Sequence, residues 1–580
     1  MLSVKSLAAL NKYLFKYKYR LILGFLFVIL NSVLLTFPGI YIGKATELFR
    51  NGSNDASSFI RCGLMIIVFS VTGGFFMFLM RQTIIVMSRF IEFDQKNEIY
   101  HHYQQLDQNF YKKNYTGDLM NRISEDVSRV RMYTGPALMY LANTLATVIT
   151  SILFMVNVDW RMALVVIAPL PVLSLIIYRV SSKINKNSTQ LQEKLSDITT
   201  LTQETFSGVR LIKSFSKENY FSEKMMKESE EYKKRSLRLA LTEAFFHPFM
   251  IFMVGLSLIL AVYTGGLLVI NNEVKSGDIS SYVFYIFRLT WPFASLGWVT
   301  SLIQRASASQ KRINEFLETE PEIKNMNISP VNIEGKIHFD RVSFTYQENG
   351  IRALHEVSFI LEKGKSLGII GKTGSGKSTI ANLLCRIYDI KSGSIRIDDH
   401  EIKQINLNQL REAIGYVPQD VFLFSDTIKN NILMGLKTIP DGNYLQEKLI
   451  KVTQDAAVYD TIMEFPDQFE TVIGERGFTL SGGQKQRISI ARAIIKEPEI
   501  LIFDDCLSAV DTETEDKILG SLKKIMENKT TLFISHRVSG VKHADKILFL
   551  KDGEIKESGT HQELISLNGE YAELYKLQTL

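Results

Sequence analysis

Cysteine is scarce in this sequence. Only Cys62, Cys385 and Cys506 occur in 580 residues. They lie far apart and without metal-ligand spacing, so neither a disulfide framework nor a zinc site follows. Cys506 sits beside an acidic strand end and reads as a small packed residue. A charge excess is also lacking: 67 Lys+Arg against 61 Asp+Glu leave +6, which gives no reason to expect a nucleic-acid partner. The first half lacks charge of either sign over long distances. Residues 21–43, 62–80, 132–158, 162–178 and 244–272 carry none, and 279–304 is interrupted only by Arg288.

A helix that crosses a bilayer needs about 20 mostly apolar residues. These six stretches therefore predict an all-α polytopic membrane domain of six transmembrane helices over 1–305. The first is too long for a cleavable signal, no small-residue cleavage site follows it, and five more spans come after it. Lys+Arg total 26 in the segments before 21, at 81–131 and at 179–243, against 5 at 44–61, 159–161 and 273–278. The first set is expected in the cytoplasm, with both termini there too. Residues 3–18 mix apolar side chains with lysines and suggest an amphipathic helix at the cytoplasmic interface.

Arg288, at membrane depth, should face a cavity or a partner. His247 precedes Pro248 at the cytoplasmic end of the fifth span. Pro169, Pro171 and Pro292 can kink helices. Trp291, Phe293 and Trp298 suit packing, interface anchoring or a cavity wall. Two glycine-containing turns, Tyr115–Arg122 and Glu204–Arg210, suit short cross-helices at loop tips, or simply solvated tips.

Residues 306–335 read as a linker, with Pro321 and Pro330 ending a charged helix. From 336 to 580 short strands and turns predict an α/β P-loop nucleotide-binding domain. Gly371-Lys-Thr-Gly-Ser-Gly-Lys-Ser-Thr379 fits G-x-x-x-x-G-K-[ST] between a short buried strand, 365–370, and a helix, the context this motif requires. Its backbone amides would cradle phosphates, Lys377 would reach the β/γ-phosphates and Ser378 would ligate Mg²⁺. Strand 500–504 ends in Asp504, which fits the acid that shares Mg²⁺ with Ser378. Leu480-Ser-Gly-Gly-Gln484 at a helix start is a second anion site. One ATP has one γ-phosphate, so two such sites make sense if two domains face each other.

With these motifs together, the chain resembles a half-size ATP-binding cassette exporter along its whole length, most of all the bacterial multidrug and lipid exporters. Gly117-Asp-Leu-Met, Gly208–Lys213 and Ser307-Ala-Ser add to the likeness. The resemblance implies that Tyr346 stacks on adenine and that Gly371, Lys372, Thr373, Gly374, Ser375, Gly376, Lys377, Ser378 and Thr379 wrap the phosphates. It implies that Gln419 contacts Mg²⁺ and the attacking water. Ser481, Gly482, Gly483 and Gln484 would meet ATP held by a partner domain. Asp511 would link the two sites, and His536 would contact the γ-phosphate. The tips near 115–122 and 204–210 would be coupling helices. ATP and Mg²⁺ are the implied cofactors. A second half-exporter chain, membrane lipid and a hydrophobic or amphipathic substrate are the implied partners, without nucleic acid, in the cytoplasmic membrane.

One position departs from the pattern. The family usually has Glu after the strand-end acid, as the base for the attacking water. Here it is Asp505, one methylene shorter, so its carboxylate stops about 1.5 Å, one C–C bond, short. An error near 1 Å can cost roughly 100-fold in rate. A weakened base beside an intact Leu480–Gln484 signature resembles one subunit of a heterodimeric exporter. The alternatives are a slowly hydrolysing homodimer, a dedicated lipid or peptide exporter, and a subunit whose ATP site is mainly structural.

Overall fold

A computed structural model describes residues 4–52, 55–325, 331–439, 442–474, 477, 480–506 and 512–579. The chain divides into two compact units, one of residues 1–104 and 116–319, the other of 105–115 and 320–580.

The first unit is helical. Among the described residues, five continuous or near-continuous helices are long and apolar enough to cross a membrane: Lys18–Arg50, Ala56–Gln105, Thr116–Val158, Trp160–Ser207 and Glu218–Ile270. They contain the first four predicted spans and the fifth up to Ile270, and most extend well past them on one side. The sixth predicted span lies in Ser276–Leu317, equally long but less uniformly apolar. It is rich in small and hydroxyl residues, and Ser281, Tyr282, Tyr285, Ser295, Ser301 and Ser307 on it are buried against other helices. A helix wrapped by protein need not present an apolar surface to lipid.

Breaks in these helices have local causes. The first span interrupts at Leu35–Thr36, just before Pro38. Arg288 answers that break. Its Nη1 donates to Leu35 O at 2.5 Å and its Nη2 to Ser32 O at 2.7 Å. The partner expected for Arg288 is thus backbone, since carbonyls freed at a break must be satisfied inside a bilayer. Pro169 starts the segment that continues the fourth span, and Pro292 lies inside the sixth helix. Asp159 caps the turn between spans three and four, accepting from Arg161 N and Met162 N at 2.9 Å. Trp291 and Trp298 are exposed on the unit's surface.

The N-terminal segment folds as a 3₁₀ helix, Val4–Leu10, and a short α-helix, Asn11–Lys16. Leu7, Leu10 and Tyr13 are buried, and Lys12 and Lys16 pair with Glu98 and Asp94 at 2.5 and 2.7 Å. Much of the apolar side expected to meet lipid is therefore spent on protein.

The second unit holds two sheets. One orders β2-β1-β4-β5 and is antiparallel, with β1 Ile337–Thr345, β2 Arg352–Leu361, β4 Ser392–Ile397 and β5 His400–Glu401. The other orders β10-β9-β3-β8-β7-β6, with β3 Ser366–Ile370, β6 Ile414–Val417, β7 Ile500–Asp504, β8 Thr530–Ser535, β9 Lys546–Lys551 and β10 Glu554–Gly559. All its pairs are parallel except the β9–β10 hairpin. β7 is buried along its whole length and β3 from its second residue, as expected for parallel strands covered on both faces.

Residues 105–115 pack as part of this second unit. They form a short helix, Gln108–Lys113, capped by Asp107, which accepts from Phe110 N. The cross-helix that docks here is thus upstream of the predicted turn at 115–122, whose own helix, Thr116–Asn121, belongs to the first unit. The second predicted turn holds at Gly208, between helices ending at Ser207 and starting at Val209.

Candidate functional site

β3 delivers the chain into Gly371–Thr379, and the helix Lys377–Leu384 follows. Gly374 and Gly376 have φ of +83° and +100°, conformations that only glycine adopts without strain. A Cβ on Gly371 would stand 2.0 Å from Leu550 O, and one on Gly376 2.3 Å from Ala353 O. The loop is thus pressed against neighbouring backbone on one side. Lys377 Nζ donates to Gly371 O and Lys372 O at 2.8 Å, and burial lowers its pKa despite Asp505 and Asp504 nearby. Ser375 is buried, and its Oγ has no hydrogen-bond partner among the described residues. Lys372 and Thr373 are exposed.

Parallel pairing sets the chemistry at one sheet edge. Ile370 of β3 is level with Ser535 of β8, and Ile534 with Asp504 of β7. The loop after β3, the acids after β7 and His536 after β8 therefore leave the sheet side by side. Ser378 Oγ donates to Asp504 Oδ1 at 3.0 Å. Burial pushes the Asp504 carboxyl up to about 6; Asp505 adds to the rise, while Ser378 and Lys377 oppose it. A half-buried hydroxyl and a buried carboxylate in contact, beside a second carboxylate, are hard oxygen donors that fit Mg²⁺ shared with phosphate oxygens. Asp505 takes φ +49°, a left-handed conformation in which Asp is several-fold enriched. Its two oxygens lie 2.8 and 2.9 Å from His536 Nδ1.

Tyr346 lies near this edge, its OH 3.1 Å from Thr379 Oγ1. Its ring meets Phe344 and Tyr388 edge to face. Lys112 Nζ sits 4.8 Å from the Tyr346 centroid, 5.2 Å from that of Tyr388 and 3.6 Å from Glu348. Sequence reasoning missed both Lys112 and Tyr388. No local spacing signals that a lysine in the 105–115 segment meets a tyrosine more than two hundred residues later.

Other predicted residues are not gathered here. Gln419 is exposed, two residues past the end of β6, and no hydrogen bond joins it to Ser378 or Asp504 among the described residues. Ser481 caps the helix Gly482–Ile494 in a capping box: its Oγ accepts from Gln484 N, and Gln484 Oε1 accepts from Ser481 N. The signature is therefore a capped, exposed helix start with no hydrogen bond to the phosphate loop of the same chain among the described residues. Asp511 lies outside the described residues.

A P-loop nucleoside triphosphatase joined to a polytopic helical unit is the class this architecture defines. Family models for the ABC transporter transmembrane region and for the ABC transporter match residues 21–293 and 354–508. The chain is 38% identical over 474 residues to a probable multidrug resistance ABC transporter ATP-binding/permease protein of Bacillus subtilis, covering 81% of this chain and 80% of that one. It is 34% identical over 483 residues to a multidrug resistance-like ATP-binding protein of Escherichia coli, covering 83% and 81%. With an ATP-dependent lipid A-core flippase of Syntrophus aciditrophicus it shares 33% over 487 residues, 84% and 80% of the two chains. The chain belongs to the ABC transporter family, as a half-transporter that couples ATP hydrolysis to export across a membrane.

Proposed function

We propose that this protein exports hydrophobic or amphipathic compounds from the cytoplasm across a bacterial cytoplasmic membrane, as one chain of a dimer with two ATP sites at the interface of the nucleotide units. The names of its relatives, multidrug proteins and a lipid A-core flippase, support an amphipathic cargo. In each site, the amides of Gly371–Thr379 and Lys377 hold the phosphates, and Tyr346 carries the adenine. Ser378 and Asp504, with Gln419, hold Mg²⁺, which when bound neutralises phosphate charge. Ser481, Gly482 and Gly483 close on ATP held by the other chain. Closure switches the helical unit between inward- and outward-facing states, and hydrolysis resets it.

Asp505 carries the finer reading. Its carboxylate is short and already engaged with His536, while the Ser481 cap is intact. We infer that the chain pairs with a second half-exporter that has Glu at the equivalent position. Its signature then completes the stronger site, and its own phosphate loop holds ATP at the weaker one. Affinity purification from native membranes with intact-mass analysis tests this. A one-to-one complex with a second half-exporter is expected; a complex of this chain with itself alone would sink the heterodimer and make Asp505 the working base of both sites.

A further inference from the structure

We propose that the helical unit carries a binding site for an amphipathic anion, a molecule with one phosphate or carboxylate on an apolar body, where its short connections meet. This deepens the exporter reading and rests on it only for what the ligand does once bound. The helix ends at Arg50, Val158 and Ser276 lie at this end of the unit. Between them is a cavity of about 640 Å³ lined by residues of the first, second, third and sixth spans, within the range of small-molecule sites, roughly 300–1,000 Å³. Tyr41, Phe154, Val158 and Tyr285 give it an apolar wall. Gly43 and Gly277 bring two of the helices into backbone contact: a Cβ on Gly277 would stand 2.1 Å from Gly43 O.

The charges in this cavity are unequally committed. Glu47 accepts from Ser276 Oγ and Gly277 N at 3.1 and 3.3 Å. Asp278 accepts from Lys275 N at 3.0 Å. Both carboxylates are thus occupied in fixing the start of the sixth helix. Three solvent-exposed cations also line the cavity: Lys44, whose ammonium lies 5.1 Å from the Tyr41 ring centroid, Arg61, which has no hydrogen bond or ion pair to another described residue, and Lys275. Three cations against two carboxylates leave the lining one positive charge in excess beside an apolar wall, so a neutral apolar ligand would forgo the attraction that an anionic head gains there. A small hydrophilic anion would leave the wall unfilled. An anionic head on an apolar body satisfies both.

The test is native mass spectrometry of the purified full-length complex in nonionic detergent, titrated with dioleoylphosphatidylglycerol, dioleoylphosphatidylcholine and dodecyl phosphate. An anionic probe should bind at least about fivefold more tightly than phosphatidylcholine, the size expected of charge-assisted pairing at a partly exposed site. Lys44→Gln with Arg61→Gln should erase that preference. Lys224→Gln with Lys227→Gln, which removes the same charge from an exposed helix, should keep it. Arg61→Lys should retain most of it and guards against loss through misfolding. Preference for phosphatidylglycerol assigns the site to a lipid phosphate, and preference for dodecyl phosphate alone to a soluble amphiphile. Equal binding of anionic and zwitterionic probes, or equal loss in the control pair, overturns the proposal. ATP turnover is followed in the same samples. Its absence in the unchanged complex would count against the exporter reading while leaving the binding result standing.

Discussion

At the scale of single residues, the sheet edge holds two carboxylates with different duties. Asp504 has a folded-state pKa of about 6 against 3.8 when unconstrained. A raised pKa favours the native state below the unfolded value, and that advantage is lost as pH climbs through 6. Above pH 6 the buried charge costs up to about 3 kcal/mol. Asp504→Asn should therefore raise the unfolding temperature in EDTA at pH 7.5, with the gain vanishing below about pH 4, while abolishing hydrolysis at this site. Thermal unfolding at a series of pH values checks the sign. Asp505→Glu should raise turnover at this site by about tenfold or more, because the added methylene brings the carboxylate to the water; Asp505→Asn should remove what remains. Phosphate release in single-site preparations separates these outcomes.

Lys112 belongs at this scale too. Its ammonium rests against Tyr346 and Tyr388 and so fixes the tyrosine proposed to carry adenine. Cation–π contacts are worth about 0.5–2 kcal/mol, so Lys112→Ala should weaken ATP binding by about 2- to 30-fold. The same change should affect inorganic triphosphate far less. Equal weakening of both in equilibrium titrations would assign Lys112 to the phosphates instead.

At the scale of elements, the interrupted first span depends on Arg288. At the break Leu35 O accepts from Arg288, and Ser32 O accepts from both Arg288 and Thr36 Oγ1. Arg288→Leu is isolated from the nucleotide site in sequence and chemistry. It should lower the unfolding temperature of the detergent-solubilised protein by several degrees, the effect of about 1–3 kcal/mol for a buried acceptor, Leu35 O, left unpaired. ATP affinity should stay unchanged. Arg288→Lys, with one ammonium in place of a fork, should lie between. A loss of nucleotide affinity without loss of stability would show that Arg288 serves coupling rather than the break.

At the scale of the whole molecule, the three native cysteines are free and buried, which leaves a low background for topology mapping. With the long segments in the cytoplasm, Asn51→Cys should react with a membrane-impermeant maleimide on intact cells. Gly117→Cys should react only after permeabilisation. The reverse pattern would invert the proposed orientation.

Much was legible in the sequence because it is written locally. Charge-free runs of span length have one economical explanation, since a bilayer cannot solvate backbone. The Gly371–Thr379 motif lies between its strand and helix because close backbone approach admits only glycine there. β3 and β7 are legible as short apolar runs that end at a glycine loop and at an acid.

Tertiary structure decided what depends on neighbours distant in the chain. The order β3-β8-β7 sets Ser378 against Asp504 and His536 against Asp505, and no spacing in the sequence specifies that register. The 105–115 segment packs with the nucleotide unit, so Lys112 meets Tyr346. Arg288 finds backbone carbonyls more than 250 residues earlier in the chain. The sequence determined which chemistry the chain can do, because motifs encode local geometry. The tertiary structure decided which groups meet, because a contact depends on how whole elements pack.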